Sequence, residues 1–166
     1  MKRLVFYFFL IIHSFLSAQG SSYNLFHIGR SKDLDIIKYD INLDEKGEII
    51  KEKPLKIYWV RYTDSKKIER LSFIQNTLAY GVDYLSISEE EIKFQFVSYD
   101  KMTFLVKKTS SGRFKAYTEL EDEPVEAEKI FVQIDGGTFM IPQISYVQFF
   151  WTSFNGKKKD VAYIHP

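Results

Sequence analysis

Cysteine is absent from this chain of 166 residues, and that removes several chemistries at once. No disulfide can staple the fold, no thiol can ligate zinc, and no lipid can be attached at a cysteine, so the core must hold by packing alone. Histidine is scarce, with three residues in all. His13 falls in the apolar N-terminal segment, which leaves His27 and His165 at opposite ends of the remainder, and a zinc site there would need carboxylates for its other ligands. Neither sign of charge is in excess: 23 basic residues stand against 22 acidic ones. No basic stripe marks a nucleic-acid footprint, so nucleic acid is not expected as a partner. The longest uninterrupted apolar run, Leu4 to Ile12, falls short of the roughly 20 residues that span a bilayer.

That run has the organisation of an export signal. Lys2 and Arg3 precede it, His13 and Ser14 interrupt it before Phe15 and Leu16, and Ser17-Ala18-Gln19-Gly20 supplies small residues for a peptidase. Cleavage after Gly20 places Ala18 three positions from the cut and fits better than cleavage after Ala18. The expected division is therefore a signal peptide over 1–20 and one β-rich domain over 21–166. The product is exported, periplasmic or secreted, with no stable membrane span once the signal is removed. Its charge is 21 basic against 22 acidic residues.

What the chain has in quantity is aromatic side chains, 15 Phe, 11 Tyr and 2 Trp. These suit pleated, half-buried positions, and the composition argues against disorder. The pattern agrees. Phe26, Ile28 and Arg30 share one face of a strand beginning at Tyr23. Ile37, Tyr39, Ile41 and Leu43 alternate with Lys38, Asp40 and Asn42. After the turn at Asp44-Glu45-Lys46-Gly47, Pro54 opens a strand with Leu55, Ile57, Trp59 and Arg61 on one face. The period then changes. Ile68, Leu71, Leu78 and Ala79 recur at helical spacing, which predicts one amphipathic helix over 65–79, capped by Ser65 and stopped before Gly81. Alternation resumes at Val82 and continues through turns at Asp100-Lys101, Ser110-Ser111-Gly112 and Glu121-Asp122-Glu123-Pro124. Asn155-Gly156 predicts a type I′ hairpin before the last strand.

About nine short strands at this spacing, with one helix, predict an all-β fold. Short turns imply antiparallel neighbours in a meander that closes into a barrel or a strongly curved sheet, with a β-sandwich as the alternative. Phe26-His27-Ile28, Arg30-Ser31, Tyr39-Asp40, Tyr58-Trp59-Val60-Arg61, Leu71-Ser72-Phe73-Ile74-Gln75 and Ala79-Tyr80-Gly81 follow one another in an order that resembles an uncharacterised domain-of-unknown-function family of exported bacterial proteins. The resemblance implies a stand-alone envelope or secreted domain. It supplies no catalytic residues.

Motifs for chemistry are few. Asp33, Asp35 and the run from Glu119 to Glu128 lack the glycine and terminal glutamate of a calcium loop. No nucleophile elbow is present, and Ser72 has no base placed beside it. Asp135-Gly136-Gly137-Thr138 lacks the following helix and the basic residue of a phosphate cradle and reads as a bulge or turn. Lys157-Lys158-Lys159 reads as a solvated hairpin tip. No catalytic residue, metal ligand or cofactor is assigned.

One arrangement points to binding. Arg30 ends the apolar stripe of Phe26 and Ile28, Arg61 ends that of Leu55, Ile57 and Trp59, and Gln148 lies between Tyr146 and Phe150. Arg30, Trp59, Arg61, Tyr146 and Gln148 are thus the candidate ligand-binding residues, with arginine able to hold a carboxylate or phosphate and aromatics to cover an apolar tail. The opposing account has the arginines at a rim, or paired with internal carboxylates such as Asp40. The first functional expectation is a non-enzymatic domain that binds a small amphipathic or anionic ligand in a barrel interior. The alternative is a structural or protein-interaction module of the envelope, with Tyr58 and Tyr62 as exposed anchors. A carboxylate-based hydrolase ranks third, because the sequence places no pair of acids across a cleft.

Overall fold

The computed structural model describes residues 20–138 and 141–165; the expected signal peptide lies outside them but for Gly20. Eleven strands form one sheet. In chain order they are β1 (Ser22–Arg30), β2 (Asp33–Asn42), β3 (Leu55–Arg61), β4 (Lys67–Arg70), β5 (Val82–Ile87), β6 (Glu91–Phe96), β7 (Tyr99–Lys108), β8 (Phe114–Leu120), β9 (Glu123–Gly137), β10 (Pro142–Ser153) and β11 (Lys159–Ile164). Among the described residues a single α-helix, α1 (Phe73–Leu78), lies between β4 and β5. It is too short to cross a membrane, and no helix among the described residues is long and apolar enough to do so.

Two meanders, β1 to β4 and β5 to β8, meet at β9 to give the order β4-β3-β2-β1-β9-β8-β7-β6-β5. With 15 residues, β9 is long enough to serve both. Its first residues pair antiparallel with β8, from Leu120↔Glu123 to Tyr117↔Glu126. Its next residues pair parallel with β1, from His27↔Lys129 to Arg30↔Val132. Its other edge carries β10, which in turn carries β11. The result is a strongly curved mixed sheet, a half-barrel. The parallel pair is where an all-antiparallel meander fails as a description. Local turn residues report only neighbours in sequence, and β1 and β9 are joined by the whole of the intervening chain.

Curvature brings the inner faces of the two meanders together around aromatic rings. Phe26 of β1 stacks on Tyr39 of β2 at 4.7 Å between centroids and on Phe104 of β7 at 5.5 Å. Phe94 of β6 stacks on Phe104 at 5.3 Å, and Phe96 meets Phe104 edge-on at 5.1 Å. Phe26, Tyr39, Phe94 and Phe104 are wholly buried. These residues lie on the alternating apolar positions of their strands, so the period of two selects the core directly. The meanders also touch at their ends, where the Ile49 amide donates to the Glu89 carbonyl at 3.3 Å and Lys51 pairs with Glu89 at 2.9 Å.

The helix differs from its expected extent. Ser65 and Lys66 have positive φ and turn the chain back, so that Ile68 and its neighbours form β4 against β3. Helix begins only after Ser72, whose hydroxyl accepts from the Gln75 amide while the Gln75 side chain accepts from the Ser72 amide. This reciprocal Ser-x-x-Gln capping box fixes the start, and six residues remain before the chain leaves the helix. Gly81 follows because nothing larger fits: a Cβ there would lie 1.7 Å from the Asn76 carbonyl oxygen.

The Asn155-Gly156 turn is also of another kind. Of its two residues only Gly156 has positive φ, and the Gly156 amide donates to the Ser153 carbonyl at 2.7 Å. That is a type I turn followed by a left-handed glycine, a recurrent hairpin form. The loop with positive φ at both central residues joins β8 to β9 and consists of Glu121 and Asp122. Left-handed backbone is costly for a non-glycine residue, by about 1–2 kcal/mol. Replacing the pair by Glu121→Asn and Asp122→Gly is expected to raise stability by about 1 kcal/mol in urea unfolding. An unchanged or lower midpoint would count against this turn geometry.

Candidate functional site

At the Arg30 end of β1, three strands place their inward side chains around one indole. The pairing Ile37↔Trp59 sets Trp59 on the inner face of β3, fully buried. Two residues on, Arg61 turns its guanidinium back over the same ring at 4.2 Å, and Arg30 from β1 reaches it at 4.6 Å. Such cation–π contacts contribute roughly 0.5–2 kcal/mol each. Both cations are paired: Arg30 with Asp33 at 2.5 Å, and Arg61 with Asp35 at 3.2 Å and Glu69 at 2.9 Å. Asp35 is buried and also accepts from the Thr63 amide and hydroxyl. Burial opposes its charge, but these hydrogen bonds and Arg61 together hold its carboxyl below the usual carboxylate range.

Trp59 also fastens the helix. Its indole N–H donates to the Gln75 side-chain oxygen at 3.2 Å, the oxygen that accepts from the Ser72 amide. Tyr80 meets Trp59 edge-on at 5.5 Å, and its carbonyl accepts from the buried Tyr39 hydroxyl at 2.7 Å. The far end of α1 is tied to the β6–β7 turn, where the Ser98 hydroxyl donates to the Ala79 carbonyl at 2.6 Å.

With α1 held in this position, the concave side of the half-barrel encloses a cavity of about 730 Å³. This lies within the range of small-molecule sites, about 300–1,000 Å³. Its walls are mainly aliphatic and aromatic, with Ile28, Met102, Phe104, Val132 and Phe149 among them. Charge is confined to Arg30, Lys32 and Asp33. The Arg30 side chain is 13% exposed. Its Nη2 pairs with Asp33 and its Nη1 donates to the Tyr80 hydroxyl at 3.4 Å, but its buried Nε has no hydrogen-bond partner. An unsatisfied buried donor costs about 1–3 kcal/mol, more when charged. The arrangement offers a mainly apolar enclosure with one arginine, paired to Asp33, among its lining residues.

The structure brings Arg30, Trp59 and Arg61 together, and of these only Arg30 lines the cavity. Trp59 and Arg61 stand behind it. Tyr146 and Gln148 lie elsewhere: Val147 and Phe149 of β10 face the cavity, so Tyr146 and Gln148, on either side of Val147, face outward. There Gln148 donates to the Tyr163 hydroxyl at 2.9 Å and Tyr146 packs beside the Tyr163 ring at 5.6 Å. The β10 sequence is apolar on both faces and does not show which is inward. Ile74, Leu78, Gln75 and Tyr80 were missed as site residues. The spacing of Ser72 and Gln75 was the signal that would have placed the helix, and with it that wall.

Several of the other charged groups are paired. Lys115 pairs with Glu126 at 2.6 Å and Lys159 with Glu128 at 2.7 Å, so part of the acidic run is neutralised across strands. Burial, with Lys129 and Lys38 nearby, lowers the His27 pKa and favours a neutral imidazole.

A family model described as a domain of unknown function, DUF4833, matches residues 26–162. No curated protein and no solved structure matches the chain significantly.

The Asp35 carboxyl titrates lower in the folded chain than in the unfolded one, so it adds stability above about pH 4 and loses it as pH falls through the depressed value. Asp35→Asn is expected to cost about 2 kcal/mol at pH 7, since it removes charge-assisted hydrogen bonds to Arg61 and Thr63 while Glu69 still pairs Arg61. The difference from the parent chain should shrink below about pH 4. A difference that stays constant from pH 7 to pH 2.5 in urea unfolding would contradict the assigned role.

Proposed function

The chain belongs to the DUF4833 family, and we propose that it is an exported, non-enzymatic domain that holds a small amphipathic or anionic molecule in the cavity beneath α1. Export rests on the sequence of residues 1–20, with the mature domain in the periplasm or secreted. The binding reading rests on one observation above the rest: a large, mainly apolar cavity with Arg30 among its lining residues. A carboxylate or phosphate suits a guanidinium, and the aliphatic walls suit a hydrocarbon tail.

Magnitudes support a usable affinity. About ten buried methylenes contribute about 8 kcal/mol, and a hydrogen bond to a charged group adds about 2 kcal/mol. Association costs about 4 kcal/mol or more. The balance of about 6 kcal/mol corresponds to dissociation constants on the order of tens of micromolar. Most of the energy is in the tail, so the head selects among ligands more than it drives binding.

Native mass spectrometry of the chain, purified from its host without detergent, tests this. The expected result is an added mass from an amphipathic molecule. Arg30→Met is expected to weaken retention of anionic amphiphiles by about ten-fold or more. Val132→Phe, which narrows the cavity, is expected to weaken retention of the molecule while the fold persists. An unligated mass in the parent chain, unchanged after incubation with long-chain carboxylates, would overturn the reading.

A further inference from the structure

The cavity wall does not stop at the surface. Ile74, Leu78 and Ile141 line the cavity, yet they are 44%, 61% and 77% exposed. Phe73, beside Ile74 on α1, is 83% exposed. Ile74, Leu78 and Ile141 form an apolar lip from two separate elements, the helix and the approach to β10, with exposed Phe73 next to Ile74 in the helix. Exposed apolar residues scattered singly need no explanation, but an apolar surface continuous with an apolar interior marks a place where something greasy is met. The charge beside it is of one sign: Asp33 neutralises Arg30, which leaves exposed Lys32 as the uncompensated charge among the lining residues.

We propose that this lip seats on the surface of a lipid bilayer with anionic headgroups, so that an amphiphile passes between membrane and cavity without crossing water. The proposal rests on the ligand reading above for its purpose. The chemistry fits that surface. Short apolar side chains on a helix and a neighbouring loop reach the boundary between headgroups and acyl chains, and a flanking lysine meets anionic lipid. A protein partner with an apolar face is the competing occupant. The continuity of lip and cavity favours the bilayer, because the tail that fills one is the substance of the other.

Phe73→Trp in the full chain places a reporter beside the lip. Its emission is expected to shift to the blue on adding vesicles of phosphatidylglycerol and phosphatidylcholine, and to be quenched by brominated acyl chains. Binding should be about five-fold weaker to phosphatidylcholine alone, as one lysine contributes. Leu78→Ser or Ile141→Ser in the reporter chain should each weaken the shift about ten-fold. Phe154→Trp is the control. It follows the end of β10 opposite Pro142, about 36 Å away along the strand, and its emission should stay constant.

No shift at position 73, or an equal shift at position 154, would overturn the lip. So would a shift that requires a membrane protein in the vesicles. The ligand reading fails separately: if native mass spectra show an empty cavity after vesicle incubation, the exchange role falls even where position 73 shifts. A retained ligand with no shift removes the lip alone.

Discussion

The hydrogen bond from the Trp59 indole to the Gln75 side chain holds the rest of the site in being. The bond is 3.2 Å long and buried, and it joins the inner face of the sheet to the first turn of a helix only six residues long. A helix of that length is not stable on its own and depends on tertiary contacts. Gln75 also completes the capping box, so one side chain both starts the helix and anchors it. Without that anchor only the ties at Ala79 and Tyr80 hold the helix over the concave face, and the cavity wall loosens at its first turn. The two guanidinium groups over the same indole add to this, because they fix the ring that fixes the helix.

The larger frame comes from β9. A strand shared along one edge by two meanders forces them to diverge beyond it, and the twist of each curls the sheet into an open trough. Aromatic side chains fill the part of the trough between Phe26 and Phe104. Towards β10 the inward residues are mainly aliphatic, among them Val132 and Val147, and the space between them and α1 is left open. Cavity and core are two lengths of one interior, separated by the size of their side chains.

Much of this was legible in the sequence. Strands reveal themselves by alternation, and Phe26, Tyr39 and Trp59 were placed inside by that rule alone. Arg30 and Arg61 were found because each ends an apolar stripe, and stripes that run in register bring their ends together. Three features were not legible, each for a physical reason. The parallel β1–β9 pair is a long-range contact that no turn residue signals. β10 is apolar on both faces, so Tyr146 and Gln148 were assigned inward when Val147 and Phe149 hold that position. The helix was misplaced because Ile68 fits a helical period by coincidence, while the stronger local signal, the box of Ser72 and Gln75, lay further on.

The central claim is that the cavity, apolar but for Arg30, Lys32 and Asp33, holds an amphiphile with its anionic head towards Arg30. A crystal structure of the chain as purified from its host, with no added amphiphile, tests it most directly. The account predicts elongated electron density along the wall formed by Val132 and Phe149, ending in an acceptor at the Arg30 guanidinium. Density for water alone, or a cavity closed by α1 packed down on Phe104, would contradict it.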